Sequence, residues 1–175
     1  MSAPTITTER LTLKPMCSDY LASTHEYASD RETCKFMLFL PNDTLADTLD
    51  YLRDAEAEAA KEKPSYYEMA VFSGDTHIGA VSLYLGDEPG SAELGWTFNK
   101  RYHGHGYATE AAGALLKFAA DELGIRRFCA HCDSENAASR RVMEKLGMKL
   151  AGEYGGRRNK LSPEERRECL YVLEK

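Results

Sequence analysis

The segment Arg101–Glu110, reading RYHGHGYATE, constrains this chain more than any other. Before it, Ala92–Phe98 (AELGWTF) reads as a strand. After it, Ala108, Ala111, Ala112, Leu115, Leu116, Ala119 and Leu123 recur at helical spacing. Gly124 stands where a helix C-terminal glycine is expected. The segment is therefore a strand–glycine loop–helix junction. Such a junction gathers unpaired backbone N–H groups and the positive end of a helix at one point, which suits a phosphate or pyrophosphate. Gly104 and Gly106 allow a tight turn and a close approach with no Cβ in the way. Arg101 adds a fixed positive charge at the start of the loop.

Two familiar phosphate loops fit poorly. A Walker loop needs Lys after its last glycine, and Gly106 is followed by Tyr107, which weakens a phosphate-loop kinase reading. The dinucleotide fingerprint needs a third glycine where Thr109 stands. What does match is Arg-x-x-Gly-x-Gly running into an alanine-rich helix. This resembles the acyl-coenzyme A pyrophosphate loop of the Gcn5-related N-acetyltransferases (GNAT). Downstream, Asn136–Met148 (NAASRRVMEKLGM) resembles the second motif of the same family, in the form typical of the ribosomal-protein N-acetyltransferase (RimJ/RimL-type) branch. Thr8–Lys14 (TERLTLK) is similar to that branch's opening strand. The likeness spans about the whole chain.

The resemblance implies an α/β fold: a mixed, mostly antiparallel sheet of about seven strands with about four helices, whose central parallel strands splay apart. It implies acetyl-CoA as co-substrate and a primary amine as acceptor, attacked directly in a ternary complex. The acceptor is a peptide N-terminus of ribosomal-protein type or a small amine. Carried over by position, Arg101, His103, Gly104, His105, Gly106, Tyr107, Ala108 and Thr109 form the diphosphate loop. The backbones of Trp96, Thr97 and Phe98 bond the pantetheine arm, Asn136 bonds the same arm, and Ser139 lies near the sulfur. The segment between the first two strands sets the acceptor pocket, and family likeness allows a homodimer. A non-catalytic acyl-CoA sensor would share the loop and differ only in turnover.

Composition is ordinary for a soluble globular protein. At 175 residues the chain is long enough for one domain, 1–175, with a real core. A net charge of −6 argues against nucleic-acid binding. No apolar run approaches the ~20 residues that span a membrane. The N-terminus lacks a signal-peptide apolar region. Five cysteines without a framework spacing point to a reduced, cytoplasmic compartment.

Taken in order, Leu11 and Leu13 mark a first strand ended by Pro15. Ser18 or Asp19 is placed to cap a helix running to about Asp30. The apolar run Phe36–Leu40 is either core or the floor of a substrate pocket. Asp43 or Thr44 caps a second helix, with Leu45, Leu49 and Leu52 inward. Its acidic outer face, including Asp47, Asp50, Asp54, Glu56, Glu58 and Glu62, is either solvated or an attractor for a cationic amine. Tyr66–Phe72, Ile78–Leu85 and Ala92–Phe98 form an antiparallel meander. After the long helix come a strand over Arg127–Asp133, parallel to its partner, and a short helix from Asn136 closed by Gly147. Two last strands, about Lys149–Tyr154 and Arg167–Leu173, are joined by a polar loop containing Arg157 and Arg158.

Acetyl transfer requires a neutral amine, a polarised carbonyl and a protonated leaving thiolate. Glu93 is the candidate base, since partial burial in its strand would raise its pKa toward the working range; the alternative is a solvated or cation-paired glutamate. The backbone N–H of Phe98 or Trp96 suits carbonyl polarisation. Ser139 is the candidate thiol-side acid, or a small residue allowing close helix packing; Tyr154 and Tyr171 are further candidates. Asn136 serves the arm, the helix N-cap, or both. Arg140, Arg141 and Lys145 meet the remaining phosphate or face solvent. The His103 and His105 rings are expected to point outward. Cys129, His131 and Cys132 cannot form one metal site, because strand alternation turns Cys132 to the opposite face. No metal is expected.

Overall fold

The computed structural model describes residues 3–175. Its strands are β1 (Ile6–Thr7), β2 (Thr12–Pro15), β3 (Tyr66–Ser73), β4 (Thr76–Leu85), β5 (Ser91–Phe98), β6 (Arg127–Asp133), β7 (Lys149–Arg157) and β8 (Arg166–Glu174). The helices are α1 (Leu21–Ala28), α2 (Leu45–Ala59), α3 (Tyr107–Glu122) and α4 (Ala137–Lys145). The eight strands form one sheet in the order β1-β2-β3-β4-β5-β6-β8-β7. Only β5 and β6 are parallel, and they pair only over Ser91–Glu93 opposite Arg127–Cys129.

Strand alternation splits the core in two. Tyr67, Met69, Val71, Val81, Leu83 and Leu94 face α3, whose buried stripe is Ala111, Ala112, Leu115, Leu116 and Ala119. Ala70, Phe72 and Ala80 face the other way, onto Tyr27 of α1 and Leu52 and Ala55 of α2. A sheet covered on both faces needs continuous apolar strands rather than alternating ones, and β3 is buried from Tyr67 through Phe72.

Several expectations are corrected. The sheet has eight strands because the short β1 pairs with β2. The strand β2 does end at Pro15, its last paired residue, which lies opposite Met69. Neither Ser18 nor Asp19 caps α1; a 3-10 turn over Ser18–Tyr20 leads into it, and the Ser18 hydroxyl bonds Glu56 instead. Thr44 does cap α2, in a reciprocal box with Asp47. The inner face of α2, however, is Thr48, Leu52, Ala55 and Glu58, while Leu45 is exposed. Glu58 is turned inward by bonds from Ser65 and Lys61.

The run at 36–40 is not core. It adopts neither helix nor strand, and Phe39 is 85% exposed. Arg157 belongs to β7 rather than to a loop and is buried. Its guanidinium donates to the Phe36 carbonyl at 2.8 Å and to Asn159 Oδ1 at 2.8 Å, and pairs with Glu168. Lys160 donates to the carbonyls of Met37 and Pro41. The C-terminal strands thus hold the 36–41 segment against the sheet.

Candidate functional site

The glycine junction is built as its sequence requires. Gly104 and Gly106 have φ of +81° and +78°, a region L side chains avoid. Gly106 is the N-cap of α3, and no side chain caps it. The N–H groups of Tyr107, Ala108 and Thr109 therefore open the helix with no intrahelical carbonyl to bond. The opening segment braces the loop from below. Arg10 donates to the His105 carbonyl at 3.0 Å, pairs with Glu110 in the first turn of α3 and lies over the Tyr107 ring. Thr8 donates to the same Glu110 carboxylate at 2.6 Å.

Two loop side chains depart from expectation. His103 is exposed, yet its ring is not free: its Nε2 lies 2.8 Å from the Phe98 carbonyl and ties the loop to the end of β5. The Arg101 side chain is 75% exposed and sits 3.7 Å from Glu26.

Beyond Glu93, β6 diverges from β5. Trp96 and Thr97, half-buried, and Phe98, buried, follow on the β5 edge beyond the paired residues. A cavity of about 700 Å³ opens beside them, between the sheet and the 36–42 segment. Trp96, Thr97, Glu93, Asn136 and Ser139 all line it, so these five expected site residues come together. Phe98 and the residues of the glycine loop lie outside this lining. Asn136 is the N-cap of α4, its Oδ1 accepting from the Ser139 N–H at 3.1 Å.

Of the less specific candidates, Tyr171 is buried and donates to Glu144 rather than reaching the cavity. Arg140 is tied inward to the Tyr171 hydroxyl and the Ser134 carbonyl, not free in solvent. Tyr154 is 52% exposed.

Glu93 has a partner the sequence did not reveal: His131 Nδ1 lies 2.8 Å from its Oε1. That hydrogen bond raises the imidazole's pKa above its ordinary value, against the effect of burial. Cys129 shares this face; its thiol, Glu93 and His131 place potential ligand atoms within 4.8 Å of one another. Cys132 faces the core, as strand alternation requires, and burial pushes its thiol up to about 12. Burial and the Glu93 charge also raise Cys129, so neither thiol is poised as a nucleophile.

Sequence reasoning missed the residue at the cavity floor. Glu68 of β3 is 6% exposed and lines the cavity. Ser82 donates to it at 2.9 Å and Tyr84 at 3.4 Å. Burial pushes its carboxyl up to about 7, while the Tyr51, Ser82 and Tyr84 hydroxyls pull it back. Its signal was legible: a single carboxylate inside the apolar run Tyr66–Phe72, where an unpaired charge is costly.

The comparisons agree with this geometry. Residues 10–149 match the family described as acetyltransferase (GNAT) domain. An uncharacterized N-acetyltransferase, YnaD, of Bacillus subtilis (strain 168) is 33% identical over 150 residues, covering 84% of each chain. A GNAT-family acetyltransferase of Bacillus anthracis superposes with a TM-score of 0.81 at 28% identity, over 98% of both chains. The fold is shared with RimL, a ribosomal L7/L12 α-N-protein acetyltransferase solved with coenzyme A, at a TM-score of 0.86 and 18% identity over 98% of both chains. A family match over most of the chain, on a sheet that splays beside a glycine-led helix, makes this protein a member of the GNAT acetyltransferase family, with a RimJ/RimL-like fold.

Proposed function

We propose that this protein passes the acetyl group of acetyl-CoA to a primary amine bound in the cavity beneath the 36–42 segment. The observation that carries the reading is the continuity of two features. The glycine loop at the start of α3 lies at the end of β5, and the cavity opens along the same strand. In this reading the N–H groups of residues 104–109 receive the diphosphate, and His103, His105 and Tyr107 serve chiefly through their backbones. Arg101 contributes charge at long range. The free edge at Trp96, Thr97 and Phe98 takes the pantetheine amides as a neighbouring strand would, with Asn136 beside the same arm. The thioester then falls near Gly95, where no side chain obstructs an incoming amine.

Attack forms the new C–N bond and breaks the C–S bond. A backbone N–H of β5 stabilises the developing oxyanion. The nitrogen then gives up a proton to the Glu93–His131 pair, Ser139 supplies one to the departing thiolate, and the pair's proton restores the serine hydroxyl through solvent. The acceptor is a small amine or a peptide N-terminus. The test is release of free thiol from acetyl-CoA with a panel of amines, with the acetylated product confirmed by mass. Steady, amine-dependent release is expected. Coenzyme binding with no release by any amine would replace this reading with a non-catalytic sensor.

A further inference from the structure

Glu68 is a buried carboxylate in want of a cation. Among the described residues no Lys, Arg or His lies within ion-pair distance of it, whereas the other buried carboxylate of a sheet strand, Asp133, is held by Arg166 at 2.9 Å. It faces the cavity, not the core. It also stands in a row across the sheet. Glu68 lies opposite Ser82, and Ser82 lies opposite Gly95. A Cβ at Gly95 would touch the Ser82 hydroxyl at 3.7 Å, so the ground over Gly95 borders Ser82 directly. The Tyr27 hydroxyl, from a side chain that also lines the cavity, is buried without a well-formed hydrogen bond. Glu68's charge reaches it and raises the phenol further, on top of burial.

We propose that Glu68, with Ser82 and Tyr27, is the seat of the acceptor's ammonium group, and that the acceptor is a small primary amine on an apolar body. This rests on the acetyl-transfer reading and adds to it the substrate class. An ammonium offers three N–H donors; the Glu68 carboxylate, the Ser82 oxygen and the Tyr27 oxygen are three acceptors. The groups facing Glu68 are Tyr27 from α1, Tyr51 from α2, and Ser82 and Tyr84 from β4, none of them cationic. The rest of the wall includes the apolar or aromatic Phe36, Met37, Leu40 and Trp96; its other carboxylate, Glu93, is already bonded to His131, and Arg157 opposes a polyamine's second positive charge. The seat also accounts for the first proton. R–NH3⁺ docks as a cation and passes one proton to the Glu68 carboxylate. The neutral R–NH2 then attacks over Gly95 and loses its second proton as described above. The thiolate leaves protonated, and Glu68 returns its proton to solvent with the product.

Calorimetric binding to the coenzyme A-loaded protein tests this without turnover. The probes are 2-phenylethylamine, its neutral isostere 2-phenylethanol, spermidine and a tetrapeptide with a free N-terminus. The arylalkyl amine should bind at least about tenfold tighter than the other three, the worth of one charge-assisted hydrogen bond. Glu68→Gln should remove that advantage and leave the alcohol unaffected, while Glu68→Asp retains part of it. Coenzyme affinity should be the same in both variants. Preference for the polyamine or peptide, or an amine affinity indifferent to Glu68→Gln, would overturn the seat while acetyl transfer stands. Failure of the wild-type protein to bind coenzyme A would bring down the acetyl-transfer reading, and the seat with it.

Discussion

Glu68 and Glu93 are two glutamates on one face of one sheet, and their surroundings separate them. Glu68 titrates from an ordinary 4.5 up to about 7 because burial disfavours its charge. An acid whose folded value is raised binds more protons folded than unfolded. Stability is therefore lost as pH rises from about 4.5 to about 7 and is level above that. Glu68→Gln carries no such penalty. Its unfolding free energy should overtake that of the wild type across this window, by about 3 kcal/mol at the upper end. Urea midpoints at a series of pH values check this; parallel curves would mean that burial does not raise the Glu68 carboxyl above its unfolded value. Glu93 is half-exposed and tied to His131. While His131 holds its proton, the pair is a poor acceptor for another. Wild-type turnover should therefore rise through a pKa above the usual imidazole value. Glu93→Gln should lose that inflection and lower turnover by about 10²-fold. The deficit should be least at high pH, where the amine sheds its proton unaided, and coenzyme affinity should hold.

At the scale of elements, the junction before α3 depends on backbone conformation more than on any side chain. A Cβ at Gly104 would meet nothing within 4 Å, so substitution there acts through its φ of +81°. Gly104→Ala should cost about 1–2 kcal/mol of local strain. It should also turn N–H groups away from the diphosphate. Coenzyme affinity is expected to fall at least about tenfold while the melting temperature drops only a few degrees, about 2–4 °C per kcal/mol for a chain of this size. Unchanged affinity, measured by calorimetry, would remove the loop from the site. The same element shows why the opening motif matters: Thr8 and Arg10 pair with β3 through nothing of their own, yet both grip Glu110 across about a hundred residues of chain. Helix α2 was readable from its capping box, but its facing was not. The leucine period pointed Leu45 inward, whereas the packing chose Thr48, Leu52 and Ala55.

In the whole molecule, Arg157 joins the two ends of the fold. From β7 it holds Glu168 of β8, Asn159 and the Phe36 carbonyl together. Asn159 in turn donates to Asp133, so the 36–41 segment hangs from the buried polar network at the end of β6. Arg157→Met should free that segment. The KM for the amine should rise about tenfold with coenzyme affinity unchanged, and stability should fall on the order of 3 kcal/mol from the broken network. Steady-state kinetics with a denaturation curve separates this from a general loss of fold, which would lower coenzyme affinity as well. The order of elements, the glycine junction and the second motif at Asn136 were all legible, because each is written in local spacing, turn chemistry and capping. The bonding of Glu68 to Ser82 and Tyr84, the tie of His103 to Phe98, the Glu93–His131 pair and the exposure of Phe39 were not. Each arises where residues distant in the chain are brought together across strands or beneath a loop. Local pattern says which face a side chain takes; only the packed sheet decides what it meets there.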